Sequence, residues 1–179
     1  MKKRIIAISG STRKSSSNLN LIRAIINLFS DKADFRIFQE LSVIPHFNPD
    51  LDNGDPPQSV TDFRRQLNEA DGVLICTPEY AMGVPGTLKN AIDWTVSSME
   101  FSHKPVALIT ASLSGQKAHM ALMETLKVIE AEIPEASQLV VSFVKTKVSD
   151  EKIIDPQTLE QVRNVMQSLI TTIDSKLTH

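Results

Sequence analysis

The chain has 179 residues, 41% of them apolar and 22% charged, which fits one domain with a substantial core. Its formal net charge of −2 gives no general attraction to nucleic acid or to an anionic membrane. The single cysteine, Cys76, excludes an intrachain disulfide and a cysteine-cluster metal site, and suits a reducing compartment. After Lys2, Lys3 and Arg4 only four apolar residues precede Ser9, too few for a signal-peptide core. No later apolar run approaches the ~18 residues needed to cross a membrane. A cytoplasmic protein is the expectation.

In chain order, Arg4-Ile5-Ile6-Ala7-Ile8 is nearly all apolar and β-branched, the pattern of a parallel strand buried on both faces. Between Asn18 and Phe29, the residues Leu19, Ile22, Ile26 and Phe29 share one helical face. Residues 34–41 partly alternate, with Phe35 and Ile37 set against Arg36, which predicts an edge strand. Residues 42–58 read as a long loop with Pro45, Pro49, Pro56, Pro57 and the turn signal Asn53-Gly54. Val60, Phe63 and Leu67 mark a short helix, and residues 72–76 a central strand.

The rhythm then repeats. Leu88, Ala91, Ile92, Val96 and Met99 share a helical face, and residues 105–110 form another buried strand. Ala118, Leu122, Leu126 and Ile129 mark the next helix, and residues 139–144 a fifth strand. Asp155-Pro156 is a helix start, a capping carboxylate followed by proline. Leu159, Val162, Met166, Leu169, Ile173 and Leu177 continue it as one stripe. Strict βα alternation predicts a parallel sheet covered on both faces. Five such units without closure give an α/β, flavodoxin-like doubly wound sheet in the order 2-1-3-4-5, as a single domain over residues 1–179. A Rossmann dinucleotide fold would show G-x-G-x-x-G after the first strand, where Gly10 stands alone.

In such a sheet ligands sit beyond the carboxyl ends of the strands, where strand order switches. After the first strand comes Ser9-Gly10-Ser11-Thr12-Arg13-Lys14-Ser15-Ser16-Ser17-Asn18. It leads into a helix N-terminus, which favours phosphate. The alternative is a plain serine-rich loop with Asn18 as helix cap; the position directly after the first strand favours phosphate. No lysine-serine pair closes a triphosphate loop. After the third strand, residues 77–86 hold two prolines, two glycines and the only tyrosine, Tyr80. That composition suits a flat aromatic ligand, or else a rigid turn with Glu79 solvated. After the fourth strand, residues 110–116 are small and polar, suited to the edge of a heterocycle or to a simple helix cap. His46, His103, His119 and His179 have no metal spacing, and His119 reads as a surface or interface residue. Asp50, Asp52 and Asp55 read as a solvated acidic loop, and Cys76 as a packed small hydrophobe. No acid/base set presents itself, which fits chemistry supplied by a cofactor.

Two motifs carry a family resemblance. Gly10-Ser11-x-Arg13-x-x-Ser16-x-Asn18, together with Pro78-Glu79-Tyr80-x-x-x-Val84-Pro85-Gly86-x-Leu88-Lys89-Asn90-Ala91-Ile92-Asp93-Trp94, resembles the NAD(P)H-dependent FMN reductases. That family includes quinone reductases, azoreductases and enzymes named for chromate reduction. The resemblance implies bound FMN, with NADPH or NADH as co-substrate and a quinone, flavin, azo compound or metal oxyanion as acceptor. It implies phosphate contacts from Ser11, Arg13, Ser16, Ser17 and Asn18, and ring contacts from Pro78, Glu79 and Tyr80. Ser112 and Gly115 fall in the family's third flavin loop, here compact. Ala81 replaces a common asparagine, which leaves backbone contact there. Charge on the reduced ring would be met by backbone N–H groups of the Tyr80 and Ser112 loops. No catalytic side chain and no metal is implied. A homodimer or homotetramer is, with residues 88–98 near the subunit contact. A flavodoxin-type electron carrier and a non-enzymatic flavin-binding protein are the alternatives.

Overall fold

The computed structural model describes residues 2–177. The side chain of Leu177, expected to extend the last stripe, lies outside the described part of the chain, as does His179. Five parallel strands form one sheet: β1 (Lys3–Ser9), β2 (Ala33–Phe38), β3 (Gly72–Thr77), β4 (Val106–Ala111) and β5 (Gln138–Val141). Their order is β2-β1-β3-β4-β5, the doubly wound order that the alternation predicts. The strands β1, β3 and β4 are covered on both faces, and every residue of β3 and β4 is buried. Side-chain alternation sends Ile6, Ile8, Val73, Ile75 and Leu108 to one face, with Phe38, Phe63, Trp94 and Phe101. Ile5, Ala7, Leu74, Cys76 and Ile109 go to the other, with Leu21, Ile22, Met166 and Ile173.

Five helices cover the faces: α1 (Ser17–Phe29), α2 (Gln58–Glu69), α3 (Gly86–Asp93), α4 (Gln116–Val128) and α5 (Pro156–Leu177). α5 starts where Asp155-Pro156 places it. Asp155 Oδ2 accepts from the Thr158 N–H at 2.8 Å, which satisfies one of the orphan donors of the first turn.

Several boundaries differ from the sequence pattern. α1 buries Leu21, Ile22, Ile25 and Phe29, while Leu19 and Ile26 are half-buried. The segment is apolar around most of its circumference, so periodicity alone does not fix its phase. α3 stops at Asp93, and Val96 and Met99 are exposed rather than facing the core. Beyond Asp93 the hydroxyl of Thr95 donates to the Ile92 carbonyl at 2.7 Å, and Ser98 reaches Glu100 at 2.7 Å; such side chains compete with the helical ladder. β2 ends at Phe38, and Leu41 sits buried in a short 3₁₀ turn. β5 ends at Val141, because Phe143 takes φ +54 and turns the chain away. A small antiparallel pair follows, β6 (Val148–Ser149) and β7 (Lys152–Ile153), which packs against α1.

The long loop before α2 is tied down rather than free. The Trp94 indole donates to the Pro45 carbonyl at 2.8 Å, and the Asn90 amide accepts from the Phe47 N–H at 2.7 Å. Asp52 is not solvated as the sequence reading has it. It takes a two-pronged bond from Arg64 at 2.8 and 2.9 Å, and both side chains are about nine-tenths buried.

Candidate functional site

The carboxyl ends of β1, β3, β4 and β5 surround a cavity of about 390 Å³, within the range of small-molecule sites. The β1 loop is pressed against β3. The Gly10 N–H donates to the Cys76 carbonyl at 2.8 Å, and a Cβ on Gly10 would stand 2.3 Å from Thr77 Oγ1. Only glycine allows that approach. Ser16 is the N-cap of α1, its hydroxyl accepting from the Asn18 N–H at 3.2 Å. Asn18 is therefore not the cap. It reaches under the β4 loop, where its Nδ2 donates to the Ala111 carbonyl at 3.0 Å. Its Oδ1 is the one buried side-chain polar atom without a partner among the described residues.

The β3 loop makes a tight hairpin. Tyr80 and Gly83 exchange backbone bonds at 2.8 and 2.9 Å, with Ala81 at φ +49 and Met82 at φ +64. Two consecutive left-handed residues define a type I′ turn, which strongly favours asparagine and glycine. The Tyr80 ring is about half exposed, and its hydroxyl lies 3.4 Å from Ser11 Oγ. That contact links the β1 and β3 loops.

Glu79 turns the other way. Its carboxylate accepts from the Ala118 N–H at 2.9 Å and from the Ser114 hydroxyl at 2.7 Å, at the start of α4. The bond from the Ala118 N–H, then that from Ser114, holds the carboxyl below its ordinary range, as a helix N-terminus does. It is engaged at the helix start rather than free in solvent, and it is not in the cavity wall. Gly115 adopts φ +105 as the residue before α4, a position most side chains would strain. Beneath this loop, His119 is half-buried, its Nδ1 2.9 Å from Thr110 Oγ1. Burial pushes its ring below the usual histidine range. This replaces the surface placement expected from the sequence. Burial likewise pushes the Cys76 thiol up.

The cavity brings together Ser11, Arg13, Ser16, Ser17 and Asn18 from the β1 loop. Pro78, Tyr80 and Ser112 join them from the β3 and β4 loops. Glu79, Ala81 and Gly115 are not in its wall. The sequence reading missed Leu113 and the segment after β5, where Phe143, Lys145 and Thr146 close one side. The signal was present in principle, since the carboxyl end of β5 faces the same way. Reading the strand through Val144 hid it. Arg13 and Lys145 are the charged residues in the lining, and no carboxylate accompanies them. No grouping of His, Cys, Asp or Glu among the described residues could hold a metal ion. The N–H groups of Tyr80 and Ser112 are engaged with Gly83 and Val141, so neither is free to meet a ligand.

The wall thus combines two cations and several hydroxyls with aromatic and apolar side chains. Residues 3–146 match the NADPH-dependent FMN reductase family. An NAD(P)H-dependent FMN reductase of Pseudomonas aeruginosa is 30% identical over 172 residues, covering 93% of this chain and 92% of its own. A quinone reductase of Escherichia coli is 28% identical over 169 residues, with 90% of each chain covered. Among solved structures, a flavoenzyme NAD(P)H:(acceptor) oxidoreductase from Paracoccus denitrificans superposes with a TM-score of 0.83 at 27% identity, covering 97% of this chain and 98% of its own. The chain belongs to the NADPH-dependent FMN reductase family.

Proposed function

We propose that the protein is an NAD(P)H-dependent FMN and quinone reductase, with FMN held in the cavity by one domain spanning residues 1–179. The observation that carries this is the lining, which joins unopposed cations and hydroxyls to aromatic and apolar side chains in one cavity. A phosphate dianion fits Arg13, Lys145 and the hydroxyls of Ser11, Ser16 and Ser17, since charge-assisted bonds are the strong ones. A flat ring fits Pro78, Tyr80, Leu113 and Phe143. Asn18 stands beside these hydroxyls in the same wall, its amide bonded to the Ala111 carbonyl.

FMN, when bound, supplies the hydride chemistry between NAD(P)H and the acceptor. The residues of the chain hold and shape. Arg13 and Lys145 would anchor the phosphate. The Ser11–Tyr80 contact sets the distance between the β1 and β3 loops. Glu79 fixes the β4 loop by capping α4, and so positions Ser112 and Leu113 without touching the ligand. Tyr80 and Ser112 spend their own N–H groups internally, so charge on a bound ring would have to be met by other groups of these loops. Tyr80 and Met82 are 47% and 75% exposed, which leaves one side of the site open to acceptors of varied shape. A quinone heads the list, and a flavin, azo compound or metal oxyanion fits the same opening. The exposed side chains of Val96 and Met99, just past α3, are surface that a homodimer or homotetramer would cover.

The test is steady-state oxidation of NADPH and of NADH with menadione, with and without added FMN. Turnover that depends on FMN supports the proposal. A protein that binds FMN yet turns over neither nucleotide is a carrier or sensor, and the proposal fails.

A further inference from the structure

A second cavity, of about 270 Å³, lies on the opposite side of the β1 loop from the first, over the carboxyl ends of β1 and β2. Ser11 and Arg13 line both cavities, so the two share a wall at what we read as the phosphate end of the flavin. Its rim carries three cations, Arg13, Lys14 and Arg23, and no carboxylate lines it. Neither Arg13 nor Lys14 has an ion-pair partner among the described residues. Arg23 Nη1 donates to Glu151 Oε1 at 2.7 Å, which fixes the fork and leaves its other N–H groups available. The floor is apolar, from Phe38 and Leu41, which are 2% and 3% exposed. Gln39 contributes a side-chain amide.

We propose that this cavity binds the 2′-phosphoadenosine end of NADPH, an inference that rests on the reductase reading above. An apolar floor beside one amide suits adenine, because an amide can both donate to and accept from that base. The cationic rim suits a phosphate on the ribose, which arginine reads in a two-pronged manner. The lack of a carboxylate matters equally. NADH recognition ordinarily uses an acidic residue that accepts from the ribose 2′-hydroxyl, whereas an arginine accommodates the 2′-phosphate. The reach is also suitable. β2 and β3 flank β1, so they stand about 10 Å apart at ~4.8 Å per strand. Two riboses and a pyrophosphate bridge that gap, with the nicotinamide beside Tyr80 and the adenine over β2. The second cavity thereby selects NADPH over NADH.

The test is calorimetric titration of the purified protein with adenosine 2′,5′-bisphosphate, with AMP and with inorganic phosphate, reading FMN content on the same samples. The bisphosphate is expected to bind about ten-fold or more tighter than AMP. Lys14→Ala and Arg23→Ala should each weaken it by about ten-fold while FMN content holds. In turnover, the KM for NADPH should rise about ten-fold more than that for NADH. Equal affinities for the bisphosphate and AMP overturn the proposal, as do variants that leave the bisphosphate affinity unchanged. Inorganic phosphate competing as well as the bisphosphate also overturns it, since the site is then a general anion site. A wild-type protein that binds the bisphosphate but no FMN retains the second cavity and overturns the first.

Discussion

Replacing Glu79 by alanine should destabilise the protein and weaken FMN binding, although Glu79 touches no part of the cavity. The carboxylate accepts from the Ala118 N–H at 2.9 Å and from the Ser114 hydroxyl at 2.7 Å. Loss of a helix cap costs about 0.5–2 kcal/mol, and loss of a negative charge at a helix N-terminus about 0.3–1 kcal/mol. These overlap, so about 1–2 kcal/mol is expected, or roughly 2–8 °C in Tm for a domain of this size. Glu79→Gln keeps one acceptor oxygen and should lose only about half as much. The pH dependence has a definite sign. The folded carboxyl lies below its ordinary value of 4.5, so its contribution is complete above that value and is lost as pH falls through the folded value. Urea unfolding of wild type and Glu79→Gln should therefore differ most near pH 7 and converge below about pH 4.5. An FMN titration of Glu79→Ala should show weaker binding, because Ser112 and Leu113 lose their anchor. Unchanged stability together with lost FMN binding would refute this, since Glu79 would then contact the cofactor itself.

Other outcomes follow from particular contacts. Ala81→Asn should stabilise by about 0.5–1 kcal/mol in urea unfolding, because asparagine tolerates the left-handed φ of +49 that alanine holds at a cost. Arg64→Leu should destabilise by about 2–4 kcal/mol, because it strands the Asp52 carboxylate and the Trp94 carbonyl that the guanidinium satisfies. A larger cost than that of Asp52→Asn is the pattern to look for. Cys76 should resist thiol reagents in the folded protein and react only on unfolding, since it is fully buried and its thiol is pushed up.

Much of the architecture is legible in the sequence because burial on both faces writes β1, β3 and β4 as continuous apolar runs. The boundaries are less so, and for local reasons. Val144 is apolar and joins the core beneath the sheet, so it reads as strand, yet Phe143 has already turned the chain at φ +54. The Ser-Thr run after Asp93 ends α3 through hydroxyl bonds that periodicity does not register. At the site, the position after the first strand of a doubly wound sheet marks the β1 loop as cavity wall, and its residues do line the cavity. Glu79 is not marked in this way, since its partners lie 35 and 39 residues away and only the fold brings α4 beneath it. Lys145 and Arg23 are unremarkable in sequence. They acquire meaning only when the β5 loop and α1 bring them to the rims of two neighbouring cavities.

On our proposal, the cavity between the β1, β3, β4 and β5 loops holds FMN through Arg13 and Lys145. Titration of FMN into the protein, followed by flavin fluorescence, tests it most directly. One FMN per chain is expected, with Arg13→Ala weakening binding by about 10–100-fold and Lys145→Ala weakening it in the same direction. No binding by the wild type, or binding that neither substitution changes, would contradict it.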